Sequence, residues 1–168
     1  MRKKARIMAH AAIIAALYAV LTHMQNVLIP GSATWAIQFR VSEALCILAF
    51  FTPAAVPGLT VGCMLFNMTF AAALPLDALA GGLATFIATM GIWKMRRITP
   101  MGYPLPGMLM PALANAVLVG WELTVYIGGG FLMNALYVAI GEAAVLLTLG
   151  SALYYAMKKR RLDTRLFG

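Results

Sequence analysis

Charge is what this sequence has least of. Its 168 residues include only five Asp and Glu and thirteen Lys and Arg, so 11% are charged against 62% hydrophobic. A water-soluble domain carries about 25% charged residues. Too few are present to coat a globule, which makes lipid the solvent for most of the surface and excludes an ordinary soluble enzyme. There are two cysteines, Cys46 and Cys63, both inside apolar runs and without CxxC or Cys/His spacing. That excludes a disulfide framework and a cysteine metal site and leaves buried, reduced thiols. The chain has no Gly-x-x-x-x-Gly-Lys-Ser/Thr loop, hence no ATP hydrolysis by that route, and no HExxH or clustered His/Asp for metal-assisted chemistry. No enzyme is indicated, and no cofactor or metal is expected. An internal repeat of the kind that builds a self-sufficient transporter is also missing.

What is present is a set of apolar runs punctuated by basic clusters. The net charge of +8 would suit nucleic acid if it covered one face. Instead, the basic residues stand at the ends of apolar runs, where anionic headgroups attract them, so nucleic acid is not the partner. Residues 7–29 form the first run, laid out like a signal peptide behind a basic N-terminus. At about 23 residues and 1.5 Å each, it is long enough to cross a hydrocarbon core of roughly 30 Å. Further spans are expected over about 41–51, 58–73, 76–93, 107–127 and 132–157, in one domain covering 1–168. The second is short, so it tilts or begins before Arg40. Pro53, Pro57, Pro75, the Pro-rich 98–106 and Gly128-Gly129-Gly130 mark the turns. Six spans with a cytoplasmic N-terminus put both termini inside, together with twelve of the thirteen Lys and Arg; only Arg40 is outside. Five spans would strand Lys94, Arg96 and Arg97 on the outer face, so the positive-inside pattern favours six.

Arg40 opens the stretch around which the chain is organised, Ile37-Gln38-Phe39-Arg40-Val41-Ser42-Glu43-Ala44-Leu45. Arg40 and Glu43, three apart, share a helix face and pair, either as an interfacial ion pair or as part of a ligand site. Among the other carboxylates, Glu122 lies about six residues into its span, roughly 9 Å deep, and Glu142 about ten, roughly 15 Å. An ionised carboxylate facing lipid there costs on the order of 2.5–3.5 kcal/mol, so both face the bundle interior. They are satisfied either as protonated, hydrogen-bonded carboxyls or by donors from a small polar ligand. Asn115, two turns below Glu122, and Asn67, in the outer part of the third span, are the nearby polar candidates. Trp35 and Trp121 read as interfacial anchors or, more sharply, as a lid and a stacking face for a flat ligand. His10 and His23 read as interfacial or packed side chains. In the first span, Ala11, Ala15 and Ala19 recur every fourth residue with Ala12 and Ala16 beside them. This small-residue stripe suits either close approach of another subunit or packing within the protein.

Gln38-Phe39-Arg40-Val41-Ser42-Glu43-Ala44-Leu45 resembles the signature of the queuosine-precursor transporter (QueT) family. The stretch Asn134-Ala135-Leu136-Tyr137-Val138-Ala139-Ile140-Gly141-Glu142-Ala143-Ala144-Val145-Leu146 is similar to that family's last span. The alanine stripe resembles the AxxxA feature of S-components of energy-coupling factor transporters. The resemblance implies a six-helix S-component in a bacterial cell membrane, serving uptake of 7-deazaguanine precursors such as preQ1 or queuine. It also implies a transmembrane coupling subunit, resting on the alanine-rich helix, and two cytoplasmic ATPases as partners. Related S-components carry other vitamins, so a different ligand such as cobalamin stays open, as does an independent proton-coupled carrier using Glu142. A guanine-like edge presents adjacent N–H donors that a carboxylate accepts in bidentate fashion, and an aminomethyl cation would pair with a second carboxylate.

Overall fold

The structure, a computed structural model, describes residues 2–30, 32, 39–70 and 73–167. Trp35 and Gln38 lie outside the described residues. Within them every regular element is helical: α1 (Arg2–Leu28), a 3₁₀ helix (Val41–Phe50), α2 (Ala55–Thr69), α3 (Asp77–Met95), α4 (Leu105–Tyr126), α5 (Phe131–Lys159) and α6 (Leu162–Phe167). Four of these, α1, α3, α4 and α5, are long and apolar enough to cross a membrane. The 3₁₀ helix and α2 are shorter and apolar.

The 3₁₀ helix is the hub. It touches α1, α2, α3 and α5, and eight of its ten residues are buried. The short second segment expected from sequence is therefore real. It starts after Arg40 and gains length by its winding: ten residues rise about 20 Å as 3₁₀ but about 15 Å as α-helix. Arg40 precedes it in an extended conformation (φ −79°, ψ 101°), and Glu43 N–H donates to the Arg40 carbonyl at 3.0 Å. Pro57 is the third residue of α2, where its missing N–H is one of the four that a helix start leaves unpaired anyway.

α1 and α2 run parallel and very close. A Cβ placed on Gly58 would lie 2.7 Å from the Ala11 carbonyl oxygen, and one on Gly62 would lie 2.7 Å from that of Ala15. The alanine stripe thus divides. Ala11 and Ala15 line this contact, with Ala15 buried; Ala19 is half-buried, and Ala12 and Ala16 face outward. α4 and α5 are antiparallel, joined by a turn in which Gly128 and Gly129 take φ of 93° and 81°, values that favour glycine. Asn134 Nδ2 ties that turn down, donating to Gly128 O and Thr124 Oγ1 at 3.0 Å each. One turn of α5, Leu146–Gly150, is wound as π-helix.

The chain's basic clusters meet at one end of the bundle. Arg96 and Lys158 line one cavity there. His10, just past the basic N-terminus, packs edge-on against Phe167 of α6 at 5.4 Å.

Candidate functional site

α1 carries three polar residues, Tyr18, Thr22 and Gln25, at four- and three-residue spacing, so they project from one side. That side meets the stretch before and into the 3₁₀ helix. Gln25 Nε2 donates to Ser32 Oγ at 2.9 Å and to the Phe39 carbonyl, while Val41 N–H donates to Gln25 Oε1 at 2.8 Å. Thr22 Oγ1 donates to the Tyr18 carbonyl and lies 2.7 Å from Ser42 Oγ. Tyr18 Oη donates to Glu43 Oε1 at 2.5 Å. One α1 face thereby fixes residues 39–43. Glu43 Oε2 also accepts from Cys46 Sγ at 3.2 Å, because residues three apart eclipse in a 3₁₀ helix.

Arg40, held by this ladder, is only 4% exposed. Its guanidinium carbon stands 6.0 Å from the Phe66 ring centroid. Glu43 and Glu142 are acidic residues within reach of its charge. Glu142 of α5 is fully buried and accepts from Asn115 Nδ2 of α4 at 2.7 Å, while its Oε2 has no hydrogen-bond donor among the described residues. Glu122, on the same buried side of α4 as Asn115, has no donor on either oxygen among the described residues. Its charged neighbours are Asp77 and Arg40. Asp77 Oδ2 accepts from Leu74 N–H at 2.6 Å, and Asn67 Nδ2 donates to the Asp77 carbonyl at 2.8 Å.

Of the residues singled out from sequence, Arg40, Glu43, Asn115, Glu122 and Glu142 converge on one enclosed polar core. Asn67 borders it and is committed to Asp77. Trp121 does not join it. It is 49% exposed beside a fully buried Glu122, as about 100° of helical rotation between neighbours requires. Tyr18, Thr22, Gln25, Ser42 and Asp77 were missed. The four- and three-residue spacing of the first three along the first span is a readable signal. His23 is packed, edge-on to Phe66 at 4.9 Å and bonded to Thr69 Oγ1 at 3.0 Å.

Among the described residues, three carboxylate oxygens on these two buried side chains, Glu122 and Glu142, thus have no hydrogen-bond partner. Chemically, such oxygens can accept hydrogen bonds from N–H or O–H groups. Glu43, Glu122 and Glu142 are each no more than 1% exposed.

A family model described as QueT transporter matches residues 8–159. The chain belongs to the QueT transporter family. It is accordingly a multi-pass membrane protein of a transporter family, which agrees with its long apolar helices. Over 79 residues the chain is 40% identical to the queuosine precursor transporter QueT of Lactococcus lactis subsp. cremoris (strain MG1363). That match spans 45% of this chain and 43% of the relative. No solved structure matches.

Proposed function

We propose that this chain is the substrate-binding S-component of an energy-coupling factor importer, taking up a queuosine precursor of the 7-deazaguanine class, such as preQ1 or queuine. The observation that carries the reading is the pair of buried carboxylates, Glu122 and Glu142, which among the described residues have three unpaired acceptor oxygens, near the buried Arg40. A guanine-like edge supplies adjacent donors to such acceptors. Family membership supports the same substrate class. Calorimetric titration of the purified chain with preQ1, queuine and cobalamin tests the assignment. Tight binding of a deazaguanine supports it, and binding of cobalamin alone would overturn it. Uptake by the chain alone into ATP-free vesicles would identify an independent carrier instead.

The proposal includes six membrane passes with both termini in the cytoplasm. Cys46 and Cys63 are buried, so a cysteine introduced at the fully exposed Met101 reports without interference. An impermeant thiol reagent applied to intact cells should leave Met101→Cys unlabelled; labelling refutes the orientation.

The coupling subunit is proposed to rest on the outward alanine row of α1. Ala16→Trp should block that approach, abolishing transport while the purified chain still binds substrate. Ala15→Trp should lose both, since Ala15 is wedged against Gly62. Normal transport by Ala16→Trp would remove this surface from the interface.

A further inference from the structure

At the basic end of the bundle, a cavity of about 340 Å³ is walled by Phe50, Phe51, Tyr154 and Phe167, with Arg96, Lys158 and Asp163 among its polar residues. Both cations are braced by aromatic rings. Arg96 lies 3.8 Å above the Trp93 ring and donates Nη1 to the Trp93 carbonyl at 2.6 Å, which leaves its other N–H groups available. Lys158 Nζ lies 5.6 Å from the Tyr154 ring centroid. On the far side of Phe167 a second cavity, about 370 Å³, runs between α1 and α5 and is lined chiefly by Ile14, Leu17, Leu48, Leu153 and Leu166. Phe167 is common to both cavities.

We propose that the two cavities together seat one anionic phospholipid with a hydroxyl-bearing headgroup. Its phosphate lies between Arg96 and Lys158, its hydroxyls donate to Asp163, and an acyl chain follows the apolar groove. The charges select this occupant. Arg96 and Lys158 less Asp163 leave the cavity one positive charge to match the single negative charge of a phosphodiester, and Arg in particular offers a planar fork for its oxygens. Asp163 would repel a bare phosphate, but it accepts from a glycerol hydroxyl. The apolar groove, with Leu17 and Leu166 about half exposed, opens towards the acyl region in a protein that already lies in a bilayer. An acidic segment of a protein partner would satisfy the cations but leave the groove unfilled.

The test uses the full chain in nonionic detergent with equimolar phosphatidylglycerol and phosphatidylcholine, reading retained lipid by native mass spectrometry. Phosphatidylglycerol should be retained in preference. Arg96→Gln with Lys158→Gln should cut that preference by about fivefold per cation. Arg97→Gln with Lys159→Gln, which removes equal charge from residues outside the cavity, should leave it unchanged. Equal retention of the two lipids by the parent overturns the proposal whether or not the variants fold. Equal losses in both variant pairs also overturn it, since they would reveal diffuse attraction to the basic end.

Discussion

Glu142→Gln is expected to weaken substrate binding about tenfold to a hundredfold while leaving the fold intact. Asn115 Nδ2 donates to Glu142 Oε1, and Oε2 is left without a donor among the described residues. Glutamine can keep its carbonyl towards Asn115, which turns its NH₂ to the position where Oε2 stood. A ligand N–H then meets a donor where it met an acceptor, and the mismatch leaves buried groups unpaired at a cost of roughly 1–3 kcal/mol; each 1.4 kcal/mol is about a factor of ten in affinity. Glu122→Gln should lose affinity similarly. Among the described residues no donor is placed on either Glu122 oxygen, and a neighbouring side-chain group is the carboxyl of Asp77, so this variant should melt no lower than the parent. A residue whose removal costs binding but not stability is the expected mark of a site held ready for ligand. Titration calorimetry on both folded variants decides the point. Parental affinity in both would make the carboxylates structural.

How much of this was legible in the sequence varies residue by residue. The depths of Glu122 and Glu142 followed from turn positions and helical rise, and the cost of a lipid-facing carboxylate turned both inward; the structure buries both. Asn115 was placed on the Glu122 face by its seven-residue spacing, but its bond to Glu142 depends on how α4 and α5 pack. The 3₁₀ winding of Val41–Phe50 was not legible. Such runs rarely exceed three or four residues, and this one is sustained by burial among four other helices rather than by its own composition. The clasp of Gln25 on Ser32, Phe39 and Val41 joins a helix end to a segment many residues later, which no local pattern signals. The alanine stripe had two readings because only the position of α2 could separate its rows.

Arg40→Gln is expected to have the largest effect, lowering stability by roughly 3–5 kcal/mol as well as abolishing binding. From sequence alone Arg40 reads either as half of an interfacial ion pair with Glu43 that fixes the start of a helix or as part of a ligand site. At 4% exposure, with Glu43 and Glu142 acting on it and Glu122 also in its field, it is the cation set among the three carboxylates. Glutamine removes the charge and leaves acidic groups buried without it, which costs more than an exposed pair returns. Arg40→Lys keeps the charge but loses the planar fork, so it should melt between the two. Arg40→Gln combined with Glu43→Gln should recover part of the lost stability, because it also removes one stranded carboxylate; Tyr18 Oη can still donate to the glutamine carbonyl. Thermal unfolding of the four proteins in one detergent provides the double-mutant comparison. If Arg40→Gln melts with the parent, the carboxylates do not depend on Arg40. If the double variant falls by the sum of the single losses, Arg40 and Glu43 are uncoupled, and the residue 39–43 segment is held by the α1 ladder alone.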